Sequence, residues 1–127
     1  MLDRIRKILE KEKCIVFAYI FGSYTKSPKY SNDLDIGIFV KNKVKSHYEL
    51  ELGLRIEKKI KIPVDVVVLN DKPLLLLSEV LRSGKLILSK DDRRRVSFET
   101  KIMNDVLKFN DLMEEFDKKR FERYGIR

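Results

Sequence analysis

The chain has 127 residues, 43% apolar and 38% charged, and its 28 Lys and Arg against 20 Asp and Glu give a formal net charge of +8. That length and balance suit one folded domain and exclude a disulfide framework, since Cys14 is the only cysteine, and a membrane-spanning helix, since no apolar run nears roughly 18 residues. The positive balance favours anionic partners such as nucleotide phosphates, RNA or an acidic protein surface, without choosing among them.

Leu2, Ile5, Ile8 and Leu9 form an apolar stripe at helical spacing and predict an amphipathic helix to about Lys13. Charges interrupt this stretch, unlike a secretory signal, so a cytoplasmic protein is expected. Cys14 to Phe21, C-I-V-F-A-Y-I-F, is rich in β-branched and aromatic residues and predicts a buried strand stopped by Gly22-Ser23, with Cys14 a reduced, half-buried residue. Tyr24 to Asn32 is polar, contains Pro28, and reads as a loop; Asp33 to Val40 reads as a second strand.

Ser46 and Glu49 have the spacing of a capping box, with Ser46 as N-cap, and Tyr48, Leu52, Ile56 and Ile60 recur every fourth residue, predicting a helix to about Lys61. Tyr48, Leu50, Leu52, Leu54 and Ile56 also alternate as a strand would, but a run this long without a turn signal favours helix. Pro63 to Leu69, P-V-D-V-V-V-L, predicts a third buried strand with Pro where its missing N–H does least harm. Pro73 to Ser83 reads as a short helix ended by Gly84, and Lys85 to Ser89 as a fourth strand.

Asp91 or Asp92 then caps a long C-terminal helix whose main stripe is Phe98, Ile102, Val106, Phe109, Met113 and Phe116, with Met103 and Leu107 on an adjoining face. So wide a face exceeds what one helix-on-sheet contact needs and predicts cover by a partner protein or by a second copy of the chain. Nothing in the sequence marks a linker or repeat, so a single domain over residues 1–127 is expected, with a helical extension over about 91–127.

The chemistry concentrates in the acidic residues. A helix between strands two and three makes those strands parallel, which brings Asp33 and Asp35, at the start of one, to the same sheet end as Asp65, near the start of the other. Gly22 and Ser23 follow strand one and meet the acids only if that strand runs antiparallel to strand two. The expected fold is therefore α/β with a small mixed sheet flanked by helices, and a doubly wound arrangement is disfavoured. A Gly-Ser turn offers backbone N–H groups and a hydroxyl to phosphate oxygens. Carboxylates crowded without His or Cys suit Mg²⁺ or Mn²⁺, and two such ions can serve an in-line phosphoryl displacement.

These residues resemble the nucleotidyltransferase superfamily that includes DNA polymerase beta, and within it the minimal nucleotidyltransferase antitoxins that act beside HEPN-domain RNase toxins. The resemblance rests on Gly22-Ser23, Asp33-Leu34-Asp35 and Asp65 and covers most of the chain in length and element order. It implies a nucleotidyltransferase fold in which Asp33 and Asp35 bind two Mg²⁺ ions. Asp65 would hold the ion on the acceptor side, and Gly22 and Ser23 the triphosphate of ATP. It further implies AMP transfer to a tyrosine hydroxyl of a HEPN toxin, with RNA met only indirectly through that partner. The spacer between Ser23 and Asp33 is nine residues, one fewer than the usual form. Thr25-Lys26-Ser27 stands where Ala-Arg-Gly is common, leaving Lys26 to offer charge to a phosphate, and Asn32 stands where Ser commonly precedes the first Asp.

Plainer readings stand beside these. A lone Asp-x-Asp is common at strand starts, and the conjunction with Gly22-Ser23 and Asp65 carries the weight. His47, the only histidine, reads as a surface residue. Tyr24 and Tyr30 in the polar loop serve either loop packing or base stacking. For the whole chain, an antitoxin that acts by binding alone and a basic RNA-binding module remain alternatives to the enzyme.

Overall fold

The computed structural model describes residues 1–22, 33–123 and 125. Along the chain these form α1 (Leu2–Glu10), β1 (Ile15–Phe21), β2 (Leu34–Val40), α2 (Tyr48–Ile60), β3 (Val64–Val68), α3 (Leu74–Ser83), β4 (Lys85–Ser89) and α4 (Asp92–Arg123). The sheet order is β3-β2-β1-β4. β1 is antiparallel to both β2 and β4, and β2 is parallel to β3, so the sheet is mixed as the acidic residues required.

Local chemistry accounts for this arrangement. β1 lies between two strands and is covered on both faces, which is why all seven of its residues are buried and why its sequence is a continuous apolar run. One face of the sheet, with Ala18, Ile20, Ile36 and Ile38, packs against Ile5 and Leu9 of α1 and Leu52 and Ile56 of α2. The other, with Phe17 and Tyr19, packs against Val80 of α3 and Phe98 of α4. Phe17 stacks on Phe39 at 4.7 Å between ring centroids, and Phe98 closes on both rings at 5.3 and 5.1 Å. Cys14 is half-buried and unbridged, its Sγ donating to the Tyr48 hydroxyl at 3.3 Å.

Two expectations are corrected. β3 is an edge strand, not a buried one: only Val66 of its five residues is buried, and Asp65 faces solvent. The capping box does not form either. His47 precedes α2 without a side-chain cap, and Glu49 Oε2 accepts instead from the Val68 N–H at 3.0 Å, while Glu57 Oε1 accepts from the Val64 N–H at 2.9 Å. An edge strand leaves outward N–H groups without a neighbouring strand, and the two α2 carboxylates supply the missing acceptors.

α4 is held at its start. The Tyr19 hydroxyl donates to Glu99 Oε1 at 2.5 Å, and Arg95 donates to Glu99 at 3.1 Å and to Ser89 Oγ at 3.2 Å. Ile102 is the one residue of α4 buried among those described, and past it Leu107, Leu112 and Phe116 are each more than half exposed. The apolar face does exceed the sheet contact, as its width foretold. No helix among the described residues is long and apolar enough to cross a membrane.

Candidate active site

The amino ends of β2 and β3 and the carboxyl end of β1 share one end of the sheet. Asp35 is the second residue of β2 and pairs in register with Asp65 on one side and Phe21 on the other. Adjacent strands lie about 4.8 Å apart, and alternation along both strands sends the two carboxylates to the same face, the one that carries Phe39 and Leu69 further along. Asp33 stands just before β2 and is exposed, as is Asp65, while Asp35 is half-buried. The topology thus brings Asp33, Asp35, Asp65 and Gly22 to one sheet end.

Gly22 adopts a φ of +83°, a conformation that costs an L side chain energy, and a Cβ there would clash with Asp35 Oδ2 and stand 3.2 Å from its Cγ. Glycine is therefore required by the Asp35 carboxylate as well as by the turn. Burial, and then the neighbouring charges of Asp65 and Asp33, push the Asp35 carboxyl above the usual aspartate range. Among the described residues no three Asp, Glu, His or Cys groups form a closed ion-holding cluster. The donors present, all hard carboxylate oxygens whose mutual repulsion a cation would relieve, fit Mg²⁺ in chemistry.

Ser23 and Lys26, expected at the triphosphate, and Tyr24 and Tyr30 lie outside the described residues. His47 is exposed, with Nε2 3.8 Å from Glu51, a surface position far along the chain from the acids. Lys85 was not singled out from sequence. It opens β4 beside Ile20, at the same sheet end as Gly22, but shares the face of Ile20 and so adds positive potential there from the side away from the carboxylates. Its signal was only its place after Gly84.

A mixed sheet with carboxylates at the amino ends of a parallel pair, and a glycine turn beside them, is the arrangement expected of a nucleotidyltransferase fold. Residues 3–93 match the family described as Polymerase beta, Nucleotidyltransferase, and since they make up more than half of the chain, it belongs to that family. No curated protein matches the sequence. Solved structures share the fold. A mutant of the toxin-antitoxin MntA-HpeT is similar at 18% identity with a TM-score of 0.76, over 95% of this chain and 98% of that one. A toxin-antitoxin with AMP-PNP is similar at 20% identity with a TM-score of 0.76, over 94% and 98%. The tri-AMPylated Shewanella oneidensis HEPN toxin in complex with MNT antitoxin is similar at 19% identity with a TM-score of 0.73, over 94% and 95%.

Proposed function

We propose that this chain is an antitoxin that transfers AMP from ATP to a tyrosine hydroxyl of a HEPN RNase toxin and so silences it. The observation that carries the reading is the register of Asp35 with Asp65 beside Gly22, which gathers carboxylates at one sheet end and supports a metal-nucleotide site there. Similarity in fold to a complex containing a tri-AMPylated HEPN toxin supports the choice of AMP and of acceptor. All 127 residues would act as one domain in the cytoplasm, with α4 extending it toward the partner.

In this reading Asp33, Asp35 and Asp65 hold two Mg²⁺ ions, which supply charge neutralisation on the triphosphate and a more acidic acceptor hydroxyl. Gly22, Ser23 and Lys26 bind the phosphates and align the α-phosphorus with the incoming oxygen. The acceptor oxygen forms a bond to that phosphorus, the bond to the α–β bridging oxygen breaks, and pyrophosphate leaves with the electron pair. Asp65, on the exposed edge strand, is placed to meet an acceptor arriving from solvent and to take its proton. Asp35, half-buried, serves as ligand and not as base.

A second reading has its own observation, the uncovered apolar length of α4: an antitoxin that neutralises by covering its partner. Mass spectrometry of the protein with its genomic neighbour, ATP and Mg²⁺ separates them. A gain of one or more AMP units on the neighbour, lost in Asp33→Ala/Asp35→Ala, is the expected result. Neutralisation that persists in full in that variant, with the complex still formed, would establish the second reading.

A further inference from the structure

At the carboxyl ends of β2 and β3, opposite the acidic residues, two clefts of about 530 and 480 Å³ open side by side and share Asn70 and Lys72 as their common wall. That wall is fixed: Asn70 Nδ2 donates to the Val40 carbonyl at 2.7 Å, and its Oδ1 accepts from the Val40 N–H at 3.0 Å. Six cations line the trough made by the two adjoining clefts: Lys41, Lys43 and Lys45 in one, Arg94 and Lys101 in the other, and Lys72 on the wall between them. Three acids also line it, and two are engaged. Glu49 accepts from Val68 and lies 4.0 Å from Lys72, and Asp105 pairs with Lys101 at 3.0 Å. Lys41, Lys43 and Lys45 are exposed and have no ion-pair partner among the described residues. One end of the floor is aromatic, with Phe39 against Phe98 and the Arg94 guanidinium 5.9 Å over the Phe39 ring.

We propose that this trough binds single-stranded nucleic acid. Cations along a concave, open path suit the spaced charges of a phosphodiester backbone, and the planar guanidinium over an apolar floor offers a base a surface to stack on. An acidic protein face would meet a flatter or convex patch and would leave that floor unfilled. The trough lies at the far end of the strands from the carboxylates, so the inference stands independently of the transfer reaction.

The test uses the full chain and fluorescence anisotropy with fluorescein-labelled 15-mers of uridylate and of thymidylate, as a function of salt. Binding should weaken linearly on a log–log plot with salt, and Lys43→Glu/Lys45→Glu/Lys101→Glu should lower affinity roughly tenfold or more. A charge-matched variant on distant surfaces, Lys7→Glu/Lys11→Glu/Lys118→Glu, should lose about twofold or less, since net charge alone acts weakly over a screened distance. The tighter of the two oligonucleotides identifies RNA or DNA as the source. Equal losses in the two variants, no binding at low salt, or equally tight trough-dependent binding of poly-glutamate would each overturn the proposal.

Discussion

Gly22 and Asp35 share one small volume: the space in which a Gly22 side chain would stand is taken by the Asp35 carboxylate. Gly22→Ala therefore meets two penalties, backbone strain at φ +83° and displacement of the acid. We expect a loss of about 1–3 kcal/mol in urea unfolding and a fall of tenfold or more in the proposed AMP transfer. Full activity in Gly22→Ala would mean that Asp35 does not act from this position.

Asp35→Asn keeps the shape of the side chain and removes a charge that burial and its acidic neighbours disfavour. At neutral pH and without divalent ions, the variant should melt at or above the temperature of the parent. Adding Mg²⁺ should raise the melting temperature of the parent and leave that of the variant nearly unchanged. Equal Mg²⁺ shifts in the two proteins would remove Asp35 from the ligand set.

Glu12 ties the turn after α1 to α2 and to the turn after β4: it accepts from Tyr48 at 2.8 Å and from both terminal nitrogens of Arg55, and its carbonyl accepts from Lys90 Nζ at 2.8 Å. Burial pulls its carboxyl upward, but the Arg55 and Tyr48 hydrogen bonds and the charges of Arg55 and Lys90 hold it below the usual glutamate range. A depressed acid stabilises the fold above its unfolded value of about 4.3, and that contribution is lost as pH falls through the lower folded value. Glu12→Gln should cost about 1–3 kcal/mol at pH 7 and flatten the acid limb of the unfolding profile. Superimposable acid limbs would contradict this.

Along α4, stability and docking should separate. Ile102→Ala empties a buried position between α4 and α3 and should cost about 2–4 kcal/mol in denaturant unfolding. A chain ending at Lys108 removes the exposed Phe109, Leu112, Met113 and Phe116 and should unfold within about 1 kcal/mol of the parent, while losing the toxin proposed as its partner in pull-down. Retained toxin capture by the shortened chain would move the docking surface elsewhere.

Much of the fold was legible because its signals are local. The apolar run of β1 and the capless but periodic α2 announce their types, and the helical crossover between β2 and β3 dictates their parallel pairing. The convergence of Asp33, Asp35, Asp65 and Gly22 at one sheet end followed from that topology alone. What sequence pattern misjudged depends on neighbours distant in the chain. V-D-V-V-V reads as a buried strand, yet among the described residues no strand lies beyond β3, and Glu49, spaced for a helix cap, is drawn to the Val68 N–H that this edge exposes. The polar trough at Asn70 was equally invisible, because its cations come from segments spread from Lys41 to Lys101.

The pairing of Phe21 with Asp35 has a consequence for how this protein can diversify. It joins the two strands that flank the spacer from Tyr24 to Asn32 at a single rung of one ladder, so a change in that spacer's length leaves the pairing of the flanking strands in place. The nine-residue spacer, unusual in length and in its Thr25-Lys26-Ser27, is in this sense an exchangeable cassette. Its sequence can therefore change without altering the register of the carboxylates on β2 and β3.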